Sequence, residues 1–355
     1  MNKRKGLKKY RFVLTVIVFL CALIILPSCI VTKTNKAKRI GVYGDYIVAG
    51  SNAVTRGRKQ TLLTEVALRA VKKAGRKENS GSLTSLTGEY RGNYYFFICK
   101  YYQENTGNKA PSGYSYFKTE YAFGVIDIVG LKSRIYRIIE TLEDGAGSGI
   151  RNLSVDKFGD TVVYTAESGS FEIVKSNCLE NTSVNLTVEN GYSLYYAYGN
   201  VFLFKDVGSG KFYAVDYITG ETADTAGILE KAAEERLKEY NGKKYVCEVN
   251  DDVINIDEYG TDGGFSVTVS ELREKSEEFR RVEEIFGVEL TFGEVLILNG
   301  EIYLSARYWD TGMFGMAAYS NASTVACFLY EPELSEFKYI GWLRANSVLE
   351  NVIRL

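Results

Sequence analysis

The 355-residue sequence contains no histidine. That absence excludes Ser-His-Asp triads, HExxH zinc sites, His-ligated haem or copper, and an imidazole switch near neutral pH. Any catalysis has to run on carboxylates, Tyr, Lys, Arg, Ser or Cys. Proline is nearly absent too, with three residues against thirty-four glycines. Many glycines and few prolines suit a chain of tight hairpins. No CxxC pair occurs: Cys99, Cys178, Cys247 and Cys327 are widely spaced, which argues against zinc and thioredoxin-type chemistry. They read as buried free thiols in or beside strands. Asp251, Asp252, Asp257 and Asp262 do not match an EF-hand loop, and the Gly pairs sit in hairpins rather than in a phosphate loop. No metal and no cofactor is expected.

Acidic residues are missing from the first 28 positions, which carry Lys3, Arg4, Lys5, Lys8, Lys9 and Arg11. Phe12 to Leu26 is apolar apart from Thr15, so residues 1–28 read as an export leader. Leu26-Pro27-Ser28-Cys29 resembles a bacterial lipobox, which implies lipidation at Cys29. Two other readings stay open: an uncleaved anchor helix from Phe12 to Val31, and ordinary cleavage. Each places the body outside the cytoplasmic membrane, tethered through the N-terminus in the first two. Residues 29–38 form a basic linker suited to anionic headgroups, and residues 39–355 form the folded domain. Without the leader's six bases the body has 37 Lys and Arg against 44 Asp and Glu. An acidic body argues against nucleic acid as a partner.

Tyr195 to Glu221 reads as strand, turn at Gly199-Asn200, strand, Gly/Ser loop, strand and closing turn. Its layout recurs at Gly44-Asp45, Gly92-Asn93, Gly159-Asp160, Gly242-Lys243 and Gly300-Glu301, each before a β-branched or aromatic run. Asn299 before Gly300 also permits an Asn-Gly type I′ turn there. A second marker follows in most copies, an apolar run ending in a polar residue: Val125-Ile126-Asp127, Ile173-Val174-Lys175, Ala214-Val215-Asp216, Asn255-Ile256-Asp257 and Leu329-Tyr330-Glu331. A base period of about forty residues with insertions is that of a four-stranded propeller blade. The expected fold is all-β: a β-propeller of six to seven blades with short helical insertions, after an N-terminal membrane-targeting helix. Helices are expected over about 60–74, over Leu229–Leu237 with a cap at Asp224-Thr225, and over Ser270–Phe286 with Ser270 as N-cap and Gly287 as stop. Ala345–Leu355 is expected to pair with the first repeat.

Three second-to-third strand loops read as enlarged: after Gly50, at Gln103–Glu120, and at Tyr308–Ser320. The last two hold Tyr114, Tyr116 and Phe117, and Tyr308, Trp309, Phe314 and Tyr319, the candidate binding residues. Aromatics there suit stacking on a sugar or anchoring a protein. No residue stands out as catalytic.

Gly210-Lys-Phe-Tyr-Ala-Val-Asp216-Tyr-Ile-Thr-Gly220-Glu resembles the strand-and-turn blade endings of quinoprotein-like propellers, including bacterial lipoproteins on that fold. WD40, YWTD and Kelch signatures are absent. The expectation is a membrane-tethered extracytoplasmic binding or assembly module with a protein or glycan partner in the cell envelope. The alternative is a carbohydrate-active hydrolase using paired carboxylates and Tyr. A structural envelope protein without a small ligand is the third reading.

Overall fold

The computed structural model describes residues 44–77, 84–111, 113–144, 149–155, 161–167, 170–176, 183–188, 192–198, 201–206, 208–216, 219–287, 289–307, 325–343 and 347–355. The leader, Cys29 and Cys178 lie outside them. Among the described residues, no helix is long and apolar enough to cross a membrane.

Antiparallel meanders follow one another along the chain. The first sheet holds β1 (Tyr46–Gly50), β2 (Ala53–Arg56) and β3 (Lys59–Leu62). Its fourth strand comes from the far end of the chain, β23 (Leu349–Arg354), in the order β23-β1-β2-β3. The second sheet is β4 (Ser85–Arg91), β5 (Tyr94–Lys109), β6 (Ser115–Asp127) and β7 (Lys132–Asp144). The third is β8 (Gly149–Val155), β9 (Thr161–Glu167), β10 (Ser170–Ser176) and β11 (Ser183–Val188). The fourth has β12 (Tyr192–Tyr198), β13 (Val201–Asp206) and β14 (Phe212–Asp216). The fifth is β15 (Lys238–Tyr240), β16 (Lys243–Val249), β17 (Val253–Glu258) and β18 (Gly264–Thr268). The sixth is β19 (Thr291–Leu298), β20 (Glu301–Arg307), β21 (Val325–Glu331) and β22 (Glu336–Leu343).

This is a β-propeller arrangement. The first strands of neighbouring sheets lie beside one another, β23 against β19, β4 against β8 and β8 against β12. The last strands stand outside. Among the described residues five blades are complete with four strands, fewer than the six to seven blades expected from the repeat. The fourth sheet stops at three strands for a local reason. After β14 a single bridge, Val215 to Thr222, is followed by helix α2 (Thr225–Arg236), where a fourth strand would start. Asp224 caps that helix by accepting from the backbone N–H of Ala226 and Gly227.

The glycine marker is the first turn of the blade. Asn299 and Gly300 both have positive φ between paired Leu298 and Glu301, a type I′ turn. The fifth-sheet turn is likewise Asn241-Gly242 rather than Gly242-Lys243, because Tyr240 pairs with Lys243. Gly44-Asp45 stands where the first sheet's turn would be, between the end of β23 and the start of β1. There the Leu355 N–H donates to the Asp45 carbonyl at 2.8 Å. The second marker ends the third strand, and its carboxylate shapes the next turn. Asp127 accepts from Val129 and Gly130, and Asp216 from Thr219.

Helix α1 (Leu63–Lys73) buries Leu63, Val66, Ala67, Ala70 and Val71 against the second sheet. It follows β3. The expected enlarged loop after Gly50 is instead a tight turn at Ser51-Asn52, with Ser51 N–H bonded to the Val348 carbonyl. The expected single helix over Ser270–Phe286 is two, α3 (Val269–Lys275) and α4 (Glu277–Phe286). Thr268, not Ser270, caps the first through a reciprocal capping box with Glu271. Ser276 breaks the run and caps the second by accepting from Phe279 N–H, and Gly287 ends it with φ 65°. Both helices lie in the largest core, where Leu272, Phe279 and Val282 meet Phe328 and Tyr339. Cys99 and Cys327 are buried, whereas Cys247 is only partly so.

Candidate functional site

The inner strands carry a repeated irregularity. A one-residue bulge leaves an extra residue unpaired and re-aims its side chain. In β23 the register jumps from Leu349 opposite Gly50 to Asn351 opposite Ala49, which leaves Glu350 as the extra residue. In β19 it jumps from Phe292 opposite Ala306 to Val295 opposite Leu304, so Gly293 and Glu294 share Ser305. In β12 the extra residue is Tyr195, and in β8 it is Arg151.

Glu294 is held firmly. Ser305, fully buried, accepts from the Glu294 backbone N–H at 2.7 Å and donates to its carboxylate at 2.5 Å. Arg307 stands 3.6 Å from the other carboxylate oxygen. A Cβ on Gly293 would lie 2.6 Å from Ser305 Oγ, so the bulge needs glycine there. Beside Glu350, the Tyr90 hydroxyl donates to the Gly50 carbonyl at 2.7 Å and Tyr95 to that of Ser51 at 3.2 Å. Asn351 donates through Nδ2 to the Gly92 carbonyl at 2.8 Å. These three bonds tie the first sheet to the second. Glu89, on β4, pairs with Arg91 at 3.1 Å.

Glu350, Glu89 and Glu294 therefore come from the inner strands of three neighbouring blades. Burial, then the negative charges of Glu89 and Glu294, hold the Glu350 carboxyl up to about 7. The outcome is one carboxyl poised between neutral and charged at neutral pH, next to two that already have cationic partners. Such a set accepts hydrogen bonds from hydroxyls and can donate one proton.

The sign of the pH dependence follows. A free glutamate titrates at 4.5, and folded Glu350 at about 7. The folded chain thus binds the extra proton between those values, and its stability falls as pH rises through that window. Discounted for partial exposure to solvent, the effect is roughly 1–2 kcal/mol. Glu350→Gln should flatten the slope of urea-derived stability between pH 5 and pH 8 and be the more stable protein at pH 8. An unchanged slope in the variant would assign the titration elsewhere.

The expected aromatic sites are distributed differently. Gln103–Glu120 is not a loop: β5 and β6 continue past the blade as a hairpin, with Glu104 opposite Lys118 and Asn105 opposite Phe117. Its turn closes through the Ala110 N–H to the Tyr114 carbonyl. Tyr114 is 57% exposed at this tip, whereas Tyr116 and Phe117 are half-buried in β6. As successive strand residues, Tyr116 and Phe117 face opposite sides of the hairpin. Tyr308, Trp309, Phe314 and Tyr319 lie outside the described residues. Residue order alone gives little notice of the carboxylates; Gly293 inside an apolar strand is the one local hint of a bulge.

No family model matches the sequence, and no curated protein matches it. Among solved structures, the chain is similar to the uncharacterised protein lmo1340 of Listeria monocytogenes, with 7% identity, 76% of this chain and 69% of that one covered, and a TM-score of 0.28. It is similar to Hsv2 of Kluyveromyces lactis, with 7% identity, 84% and 94% covered, and a TM-score of 0.28. An α-L-arabinofuranosidase of Clostridium thermocellum gives 8% identity, 76% and 96% covered, and a TM-score of 0.20.

Proposed function

We propose that the chain is a membrane-tethered, extracytoplasmic binding module whose ligand site is the inner carboxylate rim, and that its partner is a cell-envelope glycan. The observation that carries this reading is the pair of bulges at Glu294 and Glu350, which bring carboxylates of neighbouring blades within electrostatic reach. Vicinal hydroxyls of a sugar donate to ionised carboxylates and accept from a protonated one. Both bulges lie toward the face from which the Tyr114 hairpin and the β20–β21 connection depart. Tyr114, Tyr116, Phe117, Tyr308, Trp309, Phe314 and Tyr319 would then supply stacking surface around the rim. The basic leader, the lipobox-like Leu26-Pro27-Ser28-Cys29 and the likeness to quinoprotein-like lipoproteins support the tether and the location.

The test is binding of the full chain to purified envelope polysaccharide, with Glu294→Gln and Glu350→Gln beside it. A loss of about tenfold or more, about 1.4 kcal/mol, is expected in each variant. Equal binding by all three proteins rejects the rim as the site. The tether is tested separately: Cys29→Ala should abolish labelling by a lipid precursor while export continues, and persistent labelling would exclude lipidation there.

One observation favours a second reading, hydrolysis. A carboxyl titrating at about 7 beside Glu294, which has Arg307 as its cationic neighbour, matches the pairing of a general acid with a second carboxylate in glycoside cleavage. Release of reducing ends by the wild type but not by Glu350→Gln would establish the enzyme; binding without release leaves the module.

A further inference from the structure

We infer that the groove between the first and second blades is a binding site for a ligand carrying several phosphate groups. The groove lies at the outer edge of the ring, away from the carboxylate rim, and the inference does not depend on the rim's role. Its volume is about 720 Å³, and its wall combines β3, helix α1 and the β6–β7 turn. Four cations line it, Lys59, Arg69, Lys73 and Lys132, against one acid, Glu65. This runs counter to the net acidic body of the chain.

The sequence places these charges by simple rules. On α1 the buried set Leu63, Val66, Ala67, Ala70 and Val71 fixes the helix against the second sheet. Glu65, Arg69 and Lys73 then follow at four-residue intervals along one exposed stripe. Lys59 opens β3 directly after the turn at Gly57, whose φ is 57°. Lys132 opens β7 after a turn that Asp127 pins by accepting from Val129 and Gly130. A Cβ on Gly130 would sit 2.6 Å from the Asp127 carboxylate, so this turn is tight as well as pinned. The two turns are equivalent connections of adjacent blades and emerge on the same side of the ring.

Two further facts point to an anion. None of the four cations pairs with a carboxylate among the described residues. Two hydrogen-bond donors in the lining, the Gln60 side-chain nitrogen and the Ser133 hydroxyl, are buried and have no partner among the described residues. Buried donors are ordinarily satisfied, so a pair of orphans beside unneutralised cations asks for an acceptor. Arg69 offers a fork that matches phosphate geometry, and the lysines offer point charges on either side of it. A volume in the range of small-molecule sites, with cations on three separate elements, suits several linked phosphates better than one.

The test uses the full chain in detergent, with inorganic tripolyphosphate as soluble probe and vesicles of phosphatidylglycerol or of phosphatidylcholine as membrane probes. Lys59→Gln/Arg69→Gln/Lys132→Gln removes charge from exposed positions only, so its thermal unfolding should match the wild type. The leader is the same in both proteins, so any difference reports the groove. Tripolyphosphate affinity is expected to fall at least tenfold in the variant at low salt, and the slope of log affinity against log salt to drop by roughly two. If phosphatidylglycerol vesicles show the same groove-dependent loss, the phosphates come from a membrane surface; if only tripolyphosphate does, they come from a soluble ligand. Either result supports the site. No tripolyphosphate binding by the wild type, or equal affinity and equal salt slope in the variant, overturns it.

Discussion

Deletion of β23, six residues, is expected to leave the chain unable to fold, although it removes no residue of the large helix-backed core. Leu349, Val352 and Ile353 are 1%, 3% and 8% exposed. Burying each stabilises the fold by about 1.5–3 kcal/mol, so together they contribute roughly 5–9 kcal/mol. A domain of ordinary stability has about 5–15 kcal/mol in total. The deletion also bares the hydrogen-bonding edge of β1, now paired from Tyr46 to Gly50. It removes the Asn351 link to Gly92 between the first two blades as well. Soluble yield and circular dichroism melting decide the matter: aggregated or non-cooperatively melting protein is expected. A truncated chain melting cooperatively within about 5 °C of the full one would mean that terminal pairing is not what closes the ring.

That closure is legible in residue order because it reuses the repeat. Gly44-Asp45 copies a blade's first turn, so the strand after it, Tyr46–Gly50, is a blade's second strand, and the apolar run at the C-terminus pairs with it as the first. The hairpins are legible for the same reason: Asn299-Gly300 demands positive φ, and Asp127 and Asp216 must terminate their strands to bond the next turn. What is not legible depends on partners. Glu350 and Glu294 become special only through a register jump set by the neighbouring strand, and a single sequence does not record register. The groove cations are four ordinary surface residues until α1 and two turns from different blades meet. Gln103–Glu120 reads as a loop because its residues are polar with a glycine at 107. It pairs as a hairpin because β7 runs alongside as far as Asp144 and gives it a third strand. Ser276 reads as one helical residue among many; its hydroxyl, bonded to Phe279 N–H, makes it a boundary.

Glu143→Ala is expected to cost about 3–5 kcal/mol, as much as truncating a large core side chain of the second blade. Glu143 is 4% exposed, and Thr119, Lys100 and Tyr121 are among its partners. Thr119 donates to it at 3.0 Å, Lys100 lies 3.4 Å away, and the Tyr121 hydroxyl donates to its other oxygen. Thr119 and Tyr121 stand on β6 and Lys100 on β5, so one carboxylate holds three strands where the blade passes into the Tyr114 hairpin. Alanine would leave a largely buried ammonium and two hydroxyls without their acceptor, and an uncompensated buried cation is the costly part. Glu143→Gln keeps an acceptor and loses only the charge, so a smaller cost of about 1–2 kcal/mol is expected. Urea unfolding gives both values, and amide exchange localises them. In the Gln variant, protection should fall first across residues 101–119, while Phe97, Phe123 and their buried neighbours keep theirs. A uniform loss of protection would place Glu143 in the common core of the blade rather than at the root of its hairpin. A cost below about 1 kcal/mol for alanine would mean that water already reaches Lys100. In the first of those cases the hairpin could not move independently of the ring that carries it, and Tyr114 would be a fixed rather than an adjustable part of any surface it presents.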